Sequence, residues 1–255
     1  MRGAAVRCPA ASTGRRWIAP RVAGLVLAVT TLGLSAARAG EIDTLLFGSL
    51  DTGAANFLSV GAKVALDRLD RPGFAVLASV GGGRRNEAAC VCASTSGAVR
   101  LSRYTALGAT LVGYQWFSEW GVVALYAGPE GAIEALTDGR NVATLPVQWG
   151  LRLHGEVWAR PTDETLVQAT LVLGSARDSA WSRIGLGYRA WGAYLGPEAS
   201  LYADRSGYMK WNLGLHATDF AISAYNFRVS GGVQIESNAR RPSPYVALSV
   251  WSPLQ

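Results

Sequence analysis

Lysine is nearly missing from this chain, with Lys63 and Lys210 the only two in 255 residues, and histidine occurs only as His154 and His216. Two histidines give thin material for acid–base or nucleophilic chemistry. Cysteine occurs three times, as Cys8, Cys90 and Cys92. Cys90 and Cys92 have no third or fourth ligand nearby, which argues against a metal centre. Beyond the first 39 residues no continuous apolar run reaches the roughly 20 residues of a transmembrane helix. No helical stretch is legible there either. The formal charge of +6 is also misleading. Six of the 24 cations are arginines of the first 39 residues, which leaves 18 basic against 18 acidic side chains. A neutral remainder removes the main electrostatic reason for a nucleic-acid partner.

The opening residues read as a secretory signal. Arg15 and Arg16 precede the apolar run 22–34, and Ala37-Arg38-Ala39 is a small-x-small cleavage site. Residues 17–20, Trp-Ile-Ala-Pro, suit a twin-arginine signal poorly, so the general secretory route is expected. Cys8 precedes the apolar run and leaves with the signal. The expected organisation is a signal peptide over 1–39 and a single domain over 40–255.

What is present is alternation. From Tyr225 one face carries Tyr225, Phe227, Val229, Gly231, Val233 and Ile235, and the other Asn226, Arg228, Ser230, Gly232, Gln234 and Glu236. A tilted strand that crosses a bilayer needs about 9–11 residues, with lipid on one face and a wet lumen on the other. In 149–157 Arg152, His154 and Glu156 share the polar face. In 183–189 Arg183 and Arg189 oppose Ile184, Leu186 and Tyr188. In 211–217 Asn212 and His216 oppose Trp211, Leu213 and Leu215.

Strand-like runs are placed near 43–50, 54–67, 73–82, 103–117, 120–128, 144–159, 164–174, 180–189, 194–203, 208–218, 220–236 and 244–252. The expected fold is therefore all-β, an antiparallel outer-membrane-type barrel of about twelve strands, with ten if 43–50 or 194–203 fails to pair. Counted from a periplasmic start, every long connection (83–102, 129–143 and the rest of the odd series) falls on the outside. The even connections are short, as in outer-membrane barrels. Trp116, Trp120, Trp158, Trp191 and Trp251 fall at the periplasmic strand ends and read as an interfacial girdle, with Trp149 and Trp181 nearer the other end.

The lumen-facing candidates are Arg152, His154, Glu156, Arg183, Arg189, Asn212, His216, Asn226, Arg228, Gln234 and Glu236. Charge pairing inside a narrow barrel accounts for most of them. If the lumen is open they would act as a selectivity filter. A hydrolase would need His154 or His216 beside a serine such as Ser102, Ser182 or Ser230. Nothing in the spacing joins them. Cys90 and Cys92 would face an oxidising compartment, where a local loop disulfide is the preferred reading. Gly81-Gly82-Gly83-Arg84-Arg85 lacks the following helix of a phosphate-binding loop.

Several segments carry a family resemblance: Leu111-Val112-Gly113-Tyr114-Gln115-Trp116, Leu125-Tyr126-Ala127-Gly128, Arg183-Ile184-Gly185-Leu186-Gly187-Tyr188-Arg189 and Tyr194-Leu195-Gly196-Pro197-Glu198-Ala199. In this order they resemble the cellulose biosynthesis protein S (BcsS) family, exported β-rich proteins associated with bacterial cellulose-synthesis gene clusters. The similarity spans nearly all of the chain after the signal. It implies a process, cellulose production, and brings no catalytic motif with it. One departure is that four residues follow Trp251, where a terminal aromatic is the commoner assembly signal.

Three functional readings follow. The first is a non-enzymatic outer-membrane barrel that supports cellulose synthesis or export, without cofactor or metal. Its partners would be outer-membrane lipid and cellulose or components of the cellulose-synthase complex. The second is an outer-membrane enzyme acting on lipid or polysaccharide. The third is a soluble periplasmic barrel that binds glucan. In the first reading the lumen face would offer Tyr114, Asn212, Asn226 and Gln234 for weak contacts with a glucan chain.

Overall fold

The computed structural model describes residues 43–87, 90–91, 98–99 and 101–254. The signal region and Cys92, and with it the Cys90–Cys92 pairing, lie outside the described residues. The strands in chain order are β1 (Thr44–Thr52), β2 (Asn56–Ala65), β3 (Gly73–Asn86), β4 (Cys90–Val91), β5 (Ala98–Val99), β6 (Ser102–Ser118), β7 (Gly121–Thr137), β8 (Val142–Thr144), β9 (Gln148–Thr162), β10 (Thr165–Gly174), β11 (Ser179–Ala190), β12 (Ala193–Ala203), β13 (Met209–Ile222), β14 (Tyr225–Glu236) and β15 (Ser243–Leu254). The short β4–β5 pair and β8 decorate the connections. The other twelve form one antiparallel sheet that closes on itself, with β1 paired to β15 and β6 to β7.

Closure removes the two free sheet edges, the groups that a lipid environment could not satisfy. Thr44 lies opposite Leu254, so the described chain begins and ends at the same rim, here called the terminal end. Apart from 66–72 between β2 and β3, the turns at that end are two residues long. Trp191 and Gly192 make a two-residue turn with φ of 50° and 79°, the twist that matches paired strands. The opposite rim, the loop end, carries the two longest connections, 87–101 and 138–147.

The burial pattern is inverted relative to a water-soluble protein. Leu151, Leu186, Leu215, Val229, Val233 and Val246 point outward and are exposed, whereas Lys63, Glu130, Glu198, Asn212, His216, Arg228 and Gln234 point inward and are buried. Each large apolar side chain left in water forgoes about 1.5–3 kcal/mol. A contiguous band of them around a closed barrel is a lipid-facing surface. Inside, one wall is apolar: Ala75, Leu77, Ala109, Leu111, Ala124 and Tyr126 pack together with Phe47.

Three boundaries differ from the sequence reading. β3 runs to Asn86 and β7 to Thr137, so 83–86 and 129–137 are strand and not loop. The expected turn at Thr218-Asp219 is a bulge inside β13, with Asp219 at φ 66° and the register shifting between Thr218 and Phe220. The chain reverses later, at 223–224. Tyr114 does not face the lumen. It pairs with Phe74 on the outer wall, rings 5.0 Å apart, and with Trp116, also 5.0 Å away.

Candidate functional site

Arg152, His154, Glu156, Arg183, Asn212, His216, Asn226, Arg228, Gln234 and Glu236 all take inward positions, and Arg189 lies exposed at the terminal rim of the same inner face. The structure adds partners that sequence spacing could not supply.

At the loop end a lattice of charges crosses the barrel. Arg85 on β3 reaches Asp204, the residue after β12, at 2.5 Å. These strands are six apart in a twelve-strand ring, hence diametrically opposite. Arg85 also holds Glu87 at 3.0 Å, Glu87 holds Arg103 at 2.5 Å, and Arg103 holds Glu134 at 3.0 Å. Arg177 closes the circuit to Glu134 at 2.7 Å and to Asp204 at 3.0 Å. The Arg85 guanidinium lies 4.2 Å from the centre of the Tyr208 ring, and the Tyr208 hydroxyl donates to Glu236.

Electrostatics follow this geometry. Burial pushes the Asp204 carboxyl up, but hydrogen bonds from Arg85 and Ser206 and the charges of Arg85 and Arg177 outweigh it, holding it at about 2. Glu87 is raised by burial and lowered more by Arg103 and Arg85, so it also titrates below its ordinary range. Burial and the Glu236 carboxylate push the Tyr208 hydroxyl well up. At neutral pH Asp204 and Glu87 therefore stay charged.

Deeper in the barrel the charges also pair across strands. Lys63 on β2 meets Glu156 on β9 at 2.6 Å, and His154 lies 2.9 Å from the other Glu156 oxygen. Arg152 meets Glu130 at 2.8 Å, and Lys210 meets Asp51 at 3.0 Å. Arg228 donates to both Glu198 and Gln168, while Tyr245 donates to Glu198 at 2.8 Å. Glycine makes room for these groups. A Cβ on Gly185 would lie 2.9 Å from an Arg228 nitrogen and 3.1 Å from His216 Nε2.

The terminal end is narrowed by aromatics. Trp158 and Trp251 meet inside the barrel with ring centroids 5.7 Å apart. Trp181 also takes an inward position, opposite Tyr202 and Val172. The girdle expected from sequence therefore loses Trp158, Trp181 and Trp251 to the lumen, whereas Trp116, Trp120, Trp149 and Trp191 are exposed. A groove of about 620 Å³ runs across the outer wall between Trp116 and Trp211 over Gly155, Ala169, Ser182 and Ala199. It belongs to the lipid-facing band.

His216 lies directly opposite Ser230 in the β13–β14 register, but no hydrogen bond joins the two side chains. His216 Nδ1 lies 2.7 Å from Thr218 Oγ1 and its Nε2 lies 3.1 Å from the Leu186 carbonyl. Ser230 instead donates to Glu198 at 2.9 Å, and Ser102 pairs with Arg84 and Asn86. Among the described residues no group of three or more His, Cys, Asp and Glu side chains is arranged to hold a metal ion.

Comparison with known proteins gives the following. The KdgM porin in complex with disordered oligogalacturonate is 10% identical with a TM-score of 0.42, over 83% of this chain and 99% of that one. The translocator domain of the autotransporter NalP from Neisseria meningitidis is 11% identical with a TM-score of 0.45, over 83% of this chain and 88% of that one. No curated protein matches the chain in sequence. The family model described as cellulose biosynthesis protein BcsS matches residues 45–254, the whole closed barrel but for its first residue, and the chain belongs to that family.

Proposed function

We propose that this protein is a non-enzymatic outer-membrane barrel that supports cellulose synthesis or release, and that it is not itself the open channel for the polymer. The family supplies the process. The apolar outer band supports an outer-membrane location, and in this reading the loop end lies outside the cell and the terminal end in the periplasm. The observation that carries the mechanical part is the ion-pair lattice from Arg85 to Asp204, which bridges opposite walls of the barrel at its outer mouth.

A glucan chain passing through the lumen would have to part this lattice and then the Trp158–Trp251 contact. Neutral sugar hydroxyls do not replace several buried ion pairs at comparable free energy, since a buried charge stripped of its partner costs several kcal/mol. The side chains thus favour a closed state that acts through its rims. Two measurements test this. A strain that lacks the gene should show altered amount, location or fibre form of cellulose by dye binding. The purified barrel in a planar bilayer should show no sustained conductance of the porin type. Unchanged cellulose would overturn the process, and a large steady pore would overturn the closed state.

A further inference from the structure

Among the inward-facing cations of the described strands that lie above the terminal rim, Arg183 differs from the others. Lys63, Arg85, Arg103, Arg152, Lys210 and Arg228 each have a carboxylate within 4.0 Å. Arg183 has none among the described residues. Its one close partner is the Trp181 ring, whose centre lies 5.4 Å from the guanidinium carbon and steadies the side chain. The Arg228 cation and the Glu198 and Asp51 carboxylates act on it from farther away, and the two carboxylates are already engaged, with Arg228 and with Lys210.

The neighbours of Arg183 are hydroxyls. Thr170 lies directly opposite it on β10 and Ser200 directly opposite it on β12. Directly opposed residues on one face place their Cβ atoms about 4.5–5.5 Å apart, close enough to grip one small group. Neither hydroxyl has a protein hydrogen-bond partner within the described residues, and Thr170, Arg183, Ser200 and Trp181 all take inner-face positions and are half-buried. Across the barrel β2, six strands from β11, presents Phe57, Ser59, Gly61 and Lys63 on its inner face, with Ser49 beside Ser59.

We propose that Arg183, Thr170 and Ser200 form an oxyanion-binding site in the lumen, for a phosphate or a carboxylate group, free or borne by a sugar. The guanidinium supplies a planar pair of N–H donors suited to an oxyanion, and the two hydroxyls supply flanking donors. A neutral glucose unit lacks the charge that would compensate Arg183. This site goes beyond the supporting role in cellulose production and does not depend on it.

The test uses the full barrel, folded in detergent with heat-modifiable gel mobility as the folding control, and titrates it calorimetrically with inorganic phosphate, glucuronate and glucose. At least one oxyanion should bind, more weakly as salt is raised, and glucose should not. Phosphate alone marks a free oxyanion, and glucuronate alone marks an acidic sugar. Arg183→Gln should lower the affinity about tenfold or more, and Thr170→Val with Ser200→Ala several-fold, while Arg183→Lys retains part of it. No oxyanion binding by the native barrel, or unchanged binding by a folded Arg183→Gln protein, overturns the site. If Arg183→Gln does not fold, the hydroxyl double variant decides, and unchanged affinity in it refutes the proposal.

Discussion

Trp158 and Trp251 touch edge to face at 5.7 Å although β9 and β15 stand six strands apart in the ring. The contact therefore spans the lumen near the terminal rim. Arg85 and Asp204 do the same at the loop end with charge instead of aromatic surface. The two bridges divide the labour in a physically sensible way. The charged one is held by several ion pairs, and the aromatic one by a single contact worth about 0.5–1.5 kcal/mol beyond area burial.

The aromatic bridge is thus the weaker. In a protein whose native cysteines are replaced by serine, a cysteine at Ser200 should react slowly with a charged thiol reagent. Trp158→Ala with Trp251→Ala should speed that reaction by about tenfold or more, the factor expected when an obstruction of about 1.4 kcal/mol is removed. Equal labelling rates would mean that the tryptophans do not restrict entry.

The loop-end lattice should fail in acid. Asp204 titrates at about 2 in the folded barrel against 3.8 for the free side chain, so it binds its proton more readily when the lattice is open. Its contribution is fully present above about pH 4 and is lost as pH falls through about 2. Glu87, also lowered, adds to the loss in the same direction. Single-channel recordings should show brief openings that become frequent between pH 4 and 2. Asp204→Asn should bring those openings to neutral pH. A barrel equally quiet at every pH, with Asp204→Asn also quiet, would argue that the lattice is not the seal.

The outer and inner faces should respond oppositely to charge. Val229 is 41% exposed on the outer wall of β14. Val229→Arg should cost roughly 2–4 kcal/mol if it lies near mid-membrane, whereas Ser79→Arg, facing the lumen, should cost less. Urea titration of refolding into lipid vesicles measures both. Equal costs would remove the case for lipid on the outside.

The face assignments were legible because a strand has a period of two. Residues 225–236 and 183–189 display it without interruption, and all eleven lumen candidates came from it. The same periodicity already placed Trp158 on the face of His154 and Glu156, but interfacial preference for tryptophan drew it to the lipid side. Thr218-Asp219 misled for a related reason. A short polar pair looks alike in a turn and in a bulge, and only the register with β14 separates them. The expected connection 129–143 begins with Pro129 and Gly131, residues common in turns, although Glu130 between them points inward to Arg152. The lattice was beyond reach for a different reason. Arg85 and Asp204 are 119 residues apart, and no local pattern pairs them.

The Arg228–Glu198 pair offers the sharpest measure of how the lumen is held together. Both side chains are almost fully buried, at 3% and 4% exposure. Glu198 accepts from Arg228, Ser230 and Tyr245 together, so its removal leaves three donors without that acceptor and the buried Arg228 without its carboxylate. Glu198→Leu alone should therefore cost about 3–5 kcal/mol, the range for an orphaned buried charge. Adding Arg228→Met removes that orphan, and the double variant should recover much of the loss even though it has fewer polar contacts. Refolding titrations of the two single variants and the double variant give the coupling directly. If the double variant is less stable than Glu198→Leu, the pair is not the unit of stability. The wider hydrogen-bond network through Gln168, Ser230 and Tyr245 would then carry the lumen.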